Sequence, residues 1–170
     1  MPRLPRLYRA GPLALLLLLA AIPLGLPKTG LAQDAGAAKV VYHVDFADPR
    51  RFSAMLTSIH NMVTHYNNDF LEYDVRIVLN AHGIRFVTDD PLTGTPFEAD
   101  AELKERRDNL KGRLATLMDL YSVRVELCNI TRKEVGLAED KVYDAVELVP
   151  SGVVRIAELQ QQGFAYLKTE

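Results

Sequence analysis

The chain reads as an α/β protein, a three-layer sandwich around a mainly parallel sheet of about five strands. Three observations predict this. Short runs rich in β-branched and aromatic residues alternate with longer segments whose apolar residues recur every three or four positions. Helix-start and helix-stop residues stand at the junctions between them. Strands separated by helices need crossover connections, which pair them in parallel and place helices on both faces. The expected type is an open sheet, Rossmann-like or flavodoxin-like.

The domain is expected over residues 39–170. Before it, Arg3, Arg6 and Arg9 make a basic start, Gly11 to Leu24 is apolar, and Gly30-Leu31-Ala32 offers the small residues a signal peptidase reads. That order predicts a secretory signal peptide over 1–32, with 33–38 as a flexible lead-in and a periplasmic or secreted location. The alternative is an uncleaved anchor, for which the apolar stretch is short and ends in Pro23 and Pro27. Once the leader is cut, no membrane association is expected. Cleavage would remove four of the 20 Lys and Arg residues and none of the 22 Asp and Glu, leaving a net charge of −6. Nucleic acid is therefore not an expected partner.

The elements follow in order. Val40 to Phe46 is a first strand. Asp48-Pro49 opens a helix with a capping carboxylate and a proline at its first position. Its apolar stripe is Phe52, Met55, Leu56, Ile59, Met62, Val63 and Tyr66, and His60 and His65 flank that stripe on the surface. Asp74 to Leu79 is a second strand, and Asn80-Ala81-His82-Gly83 follows at its end. Ile84 to Val87 reads as a short strand or extended turn, and Asp89 to Gly94 as a loop. Thr95-Pro96-Phe97-Glu98 has the form of a capping box, predicting a helix from there. That helix would bury Leu103, Leu110, Leu114, Leu117, Met118 and Tyr121, and keep a solvated charged face from Glu102 to Arg113. Val123 to Leu127 is a third strand ending at Cys128, and Thr131-x-x-Glu134 predicts a short helix stopping near Gly136. Val146 to Val149 is a fourth strand, Pro150-Ser151-Gly152 starts a helix closed by Gly163, and Phe164 to Leu167 is a fifth strand.

Several chemistries lack their signatures. There is no G-x-G-x-x-G, no phosphate-binding loop ending in Gly-Lys-Ser/Thr and no G-x-S-x-G elbow. With one cysteine there is no C-x-x-C pair and no thiolate zinc site. Asp89-Asp90 reads as a solvated pair, and neither a metal nor a cofactor is expected.

What remains gathers at the ends of strands two and three: Asn80, His82, Gly83, Cys128, Asn129 and Thr131. A cysteine between a strand and a helix start sits near unpaired N–H groups and the helix dipole, which favour the thiolate. The competing reading is a small buried hydrophobe. His82 is the expected partner of the thiolate, and Gly83 could admit a close ligand. Asn129-Ile130-Thr131 is also a glycosylation sequon, although helix capping accounts for Thr131 without it.

At these residues the chain resembles the DsrE/DsrF-like family. The pieces that carry the resemblance are Lys39 to Val44, Asn80 to Gly83, Cys128 to Thr131, Val149 to Val153 and Leu159 to Tyr166. It implies an α/β sandwich, often assembled as homo-oligomers, and a cysteine in this loop that carries persulfide sulfur between proteins. Cys128 matches that cysteine by position. The leading expectation is thus an exported sulfur carrier or sulfurtransferase whose partners are a sulfur donor and an acceptor thiol. Characterised carriers of the family act in the cytoplasm, unlike the export expected here. The alternative is a non-enzymatic ligand-binding or assembly module of the same fold.

Overall fold

A computed structural model of the protein describes residues 36–169. The expected signal peptide and the start of the lead-in lie outside the described residues. The elements run β1 (Ala38–Val44), α1 (Pro49–Asn68), β2 (Tyr73–Leu79), a 3-10 helix (Ala81–Phe86), α2 (Ala101–Tyr121), β3 (Arg124–Cys128) and α3 (Asn129–Glu134). A second 3-10 turn (Glu139–Lys141), β4 (Val146–Val149), α4 (Gly152–Gln161) and β5 (Ala165–Lys168) complete the chain. The five strands form one sheet in the order β4-β3-β2-β1-β5, and every strand pair is parallel.

The order departs from the two expected types. Strands β2, β3 and β4 step outward on one side of β1, and β5 crosses to the other side, so the direction of winding reverses at β1. Neither the 3-2-1-4-5-6 nor the 2-1-3-4-5 arrangement has this order. Register pairs Val44 with Leu79, Leu79 with Leu127 and Cys128 with Val149. The C-terminal ends of the four strands β1 to β4 therefore line up along one edge.

Alternation along the strands sorts the side chains into two layers. Val40, Tyr42, Val44, Val75, Ile77, Leu79, Val125 and Leu127 join the larger core. Against them α1 contributes Phe52, Met55, Leu56, Ile59 and Val63, and α2 contributes Leu103, Leu110, Leu114 and Leu117. Full burial of such side chains contributes about 1.5–3 kcal/mol each. On the opposite face, Val41 and Val78 pack with Ile156 and Leu159 of α4 and with Phe164. Beside this small core lies a charged network. Glu126 has no exposed surface, and its carboxylate accepts from Arg76 Nη1 at 2.8 Å and from Arg155 Nε at 2.6 Å. Asp74 closes the cluster through a two-point pair with Arg76.

Three expectations are corrected. Residues Ile84 to Phe86 belong to the 3-10 helix rather than to a strand. The Thr95 to Glu98 segment is a turn: Thr95 Oγ1 accepts from Phe97 N–H and Glu98 Oε2 from Gly94 N–H. Glu98 so engaged does not reach back to the Thr95 amide, which leaves no capping box. Helix α2 starts at Ala101 instead, where Asp100 accepts from Leu103 N–H at 2.8 Å. The charged side of α2 is not merely solvated either. Arg107 Nη1 donates to the carbonyls of Arg85 and Thr88, and Arg113 Nη1 and Nη2 donate to Ser53 and Thr57 of α1.

Candidate functional site

Cys128 is the last residue of β3 and the cap of α3, with backbone φ −61° and ψ 114°. It points to the α4 side of the sheet, because Val125 and Leu127 take the other side. The start of α4 is laid directly over it. A Cβ placed on Gly152 would lie 3.1 Å from the Cys128 Cβ and 3.4 Å from the Asn80 Cβ. The glycine thus lets the N-terminus of the helix approach the sulfur. Ser151 caps that helix, accepting from Val154 N–H.

Two opposing influences act on the thiol. Burial raises its pKa, since the residue is only 5% exposed. Against this, the N–H groups of Gly152 and Thr131, the Thr131 hydroxyl and the Ile130 N–H favour the anion. The second group prevails, and Cys128 ionises below an ordinary thiol. Backbone amides at helix starts have no partner of their own within the helix, so they are free to serve this charge.

The other expected residues take different places. Thr131 is not the cap of α3, which begins two residues earlier. Its hydroxyl oxygen accepts from Ala81 N–H at 3.1 Å, which ties the loop after β2 to the thiol. Asn80 follows β2 beside Cys128. Asn129 Oδ1 accepts from Arg132 Nε at 2.8 Å, so its side chain is turned along α3. Gly83 meets the backbone: a Cβ there would lie 2.3 Å from the Val44 carbonyl oxygen. That close approach by β1 requires glycine, and no ligand is needed to account for it. His82 packs edge-on against Phe97 with ring centroids 5.0 Å apart, and its buried Nδ1 has no hydrogen bond among the described residues. The groups that favour charge on the sulfur are backbone amides and Thr131, and His82 is not among them.

The sequence pattern of the DsrE/DsrF-like family matches residues 39–169, nearly the whole of the described fold. The chain belongs to the DsrE/DsrF-like family. It is similar to an uncharacterised protein of Aquifex aeolicus, at 29% identity over 140 residues and 78% of this chain. The chain spans 56% of the length of that relative. Its fold is similar to that of MTH1491, a protein of unknown function from Methanobacterium thermoautotrophicum. There the TM-score is 0.59 and the identity 23%, over 77% of this chain and 98% of the other. The ychN protein of E. coli is similar at a TM-score of 0.52 and 18% identity, over the same shares.

In this family member the arrangement suits a nucleophilic sulfur. Ile130, Val153 and Val154 flank the site on the first turns of α3 and α4 and are exposed, at 58%, 67% and 55%. Neither first turn carries an acidic residue that would oppose the thiolate. Sequence reasoning placed Cys128 and Asn80 here but read Gly152 only as a helix start and gave His43 no role. The available signal for Gly152 was a glycine just after a capping serine, where a side chain would ordinarily be harmless. His43 is a polar residue near the end of a strand otherwise rich in valine, and its Nε2 donates to Asn80 Oδ1 at 2.9 Å.

Proposed function

We propose that this DsrE/DsrF-like protein carries sulfane sulfur on Cys128. The observation that carries the reading is the thiol held beneath the starts of α3 and α4, where backbone amides lower its pKa despite burial. In the loading step the Cys128 thiolate attacks the outer sulfur of a donor persulfide, R–S–SH. The donor S–S bond breaks, a new Sγ–S bond forms, and the donor leaves as its thiolate R–S⁻. Unloading is the same exchange with an acceptor thiolate attacking the outer sulfur, so Cys128 returns as a thiolate with no net oxidation. The chain has one cysteine and cannot resolve the persulfide internally, so an outside thiol must do so. The exposed apolar rim of Ile130, Val153 and Val154 suits an acceptor thiol set in an apolar surface.

The charged start, apolar stretch and small-residue site of residues 1–32 support export to a periplasmic or extracellular setting. Self-association into a homo-oligomer is part of the same reading, supported by family membership and by the exposed position of β5 at the edge of the sheet. The deciding experiment is intact-mass analysis after incubation with polysulfide. Increments of one sulfur that reductant removes and that Cys128→Ser abolishes are expected. A thiol inert to polysulfide and to alkylation in the folded protein would instead leave a binding or assembly module of the same fold.

A further inference from the structure

Three polar side chains on the α4 face form a line from the β5 edge of the sheet toward the thiol. Tyr166 on β5 lies with its hydroxyl 3.0 Å from Nδ1 of His43 on β1. The other ring nitrogen of His43, Nε2, is 2.9 Å from Oδ1 of Asn80. Asn80 stands directly after β2, whose Leu79 pairs with Leu127, so Asn80 and Cys128 lie side by side at the ends of neighbouring strands. Both touch the space over which Gly152 closes.

The chemistry of this line fixes its direction. A carboxamide oxygen only accepts, so His43 Nε2 carries the hydrogen and donates it. Nδ1 is then the acceptor, and the Tyr166 hydroxyl donates to it. The imidazole is held in one tautomer from both ends. With Oδ1 of Asn80 tied to β1, the other arm of its planar amide must turn away from β1. That arm, Nδ2, bears two N–H groups and carries no hydrogen bond among the described residues.

We infer that His43 is a positioning residue for Cys128: it orients Asn80 so that the amide N–H donors meet the outer sulfur of a Cys128 persulfide, and Tyr166 keeps the imidazole in the tautomer that does so. The inference rests on the sulfur-carrier reading for the anion that the Asn80 amide would serve. An outer sulfur is the more acidic end of a persulfide and bears the charge once loaded. The amides of Gly152, Ile130 and Thr131 favour charge on Sγ itself, which leaves the outer atom in need of its own donor.

The test equilibrates the full chain with glutathione persulfide and glutathione at fixed ratio and pH, and reads the loaded fraction by intact mass. Each variant's alkylation rate with iodoacetamide and its unfolding temperature are measured alongside. Asn80→Ala and His43→Ala should each lower the loading constant by about tenfold, as for loss of a hydrogen bond to a charged group. The double variant should be little worse than either single one, because both remove the same donor. His43→Gln should restore loading, since its side-chain N–H can reach Asn80 Oδ1 from the place of Nε2, and Tyr166→Phe should cost only about twofold. Alanine variants that load as the wild type does, or a loss that follows unfolding temperature and is not rescued by His43→Gln, would overturn the inference alone. A wild-type protein that takes up no sulfur overturns the carrier reading and this inference together.

Discussion

Gly152 sits so close above Cys128 that a methyl group added to it would lie 3.1 Å from the cysteine Cβ. Contact that tight forces α4 to shift or the strand end to yield. Gly152→Ala should therefore draw the helix amide off the sulfur and raise the Cys128 pKa. Alkylation at pH 7 should slow by about three- to tenfold, within the range for a lost helix-terminus or charged hydrogen-bond contact. A pH profile of iodoacetamide labelling measures it. An unchanged midpoint with a normal fold would show that α3 and Thr131 suffice.

The Thr131 hydroxyl serves both the loop after β2 and the sulfur. Thr131→Val keeps the shape of the side chain but removes both contacts. The thiol midpoint should rise, and the protein should lose about 1–3 kcal/mol from the unpaired Ala81 N–H. His82→Ala should leave the midpoint in place, because the groups that lower it are amides and a hydroxyl. A midpoint that rises in His82→Ala as much as in Thr131→Val would give the imidazole the role that the sequence first assigned to it.

Glu126 is buried between two arginines. Glu126→Ala removes the carboxylate that both guanidinium groups share, leaving Arg76 to Asp74 and Arg155 to Glu158, and urea unfolding should show a loss of about 1.5–3 kcal/mol, as for lost hydrogen bonds to charged groups. Since α4 rests on this cluster, the Cys128 midpoint should also rise. A variant as stable as the wild type would mean that water enters and solvates the arginines.

Gly83→Ala should be worse than an ordinary surface glycine change. Its Cβ would overlap the Val44 carbonyl oxygen, and that oxygen also accepts from Asn80 N–H at 3.0 Å. Stability should fall by several kcal/mol, on the order of a severe packing error. Soluble, cooperatively folding Gly83→Ala protein with an unchanged unfolding midpoint would contradict the placement of this loop.

Acid should destabilise the protein through its paired carboxylates. Burial raises the pKa of Asp74, but its bond and charge contact with Arg76 bring it below the usual carboxylate value. Asp100 is likewise raised by burial and lowered further by Leu103 N–H and Arg85. The Lys111 ammonium holds Asp89 down. Groups with folded pKa values below their unfolded values contribute fully above about pH 4 and lose that contribution as pH falls through the folded values. Urea midpoints should be flat near neutrality and drop in acid. Asp74→Asn should flatten that drop, and an unaltered acid slope would exclude Asp74 as a contributor.

Much of the fold was legible because its signals are local. The stripe from Phe52 to Val63 and the valine-rich strands each report their own burial. The Asp48-Pro49 start is likewise complete within two residues. The capping boxes at Thr95 and Thr131 misled because the same spacing serves a turn or an inner helix position, and only the destination of the side-chain bonds distinguishes them. Sheet order was not legible, since β5 reaches β1 through contacts far apart in sequence. The site was half legible for the same reason. Cys128 and Asn80 stand at strand ends that can be read directly, but the close approach of Gly152 and the reach of Tyr166 to His43 exist only once α4 has crossed the sheet.

Among the described residues the helix that closes the Cys128 face is α4, anchored by the smaller of the two cores together with the Glu126 cluster. The helix lying on the thiol is therefore held by a smaller apolar core than α1 and α2 are. When it lifts, the sulfur is bared, but the Gly152 amide that favours its anion leaves with the helix. Access and reactivity then vary in opposite directions. An uncovered Cys128 would hold less of its sulfur as thiolate at neutral pH than one with α4 seated on it.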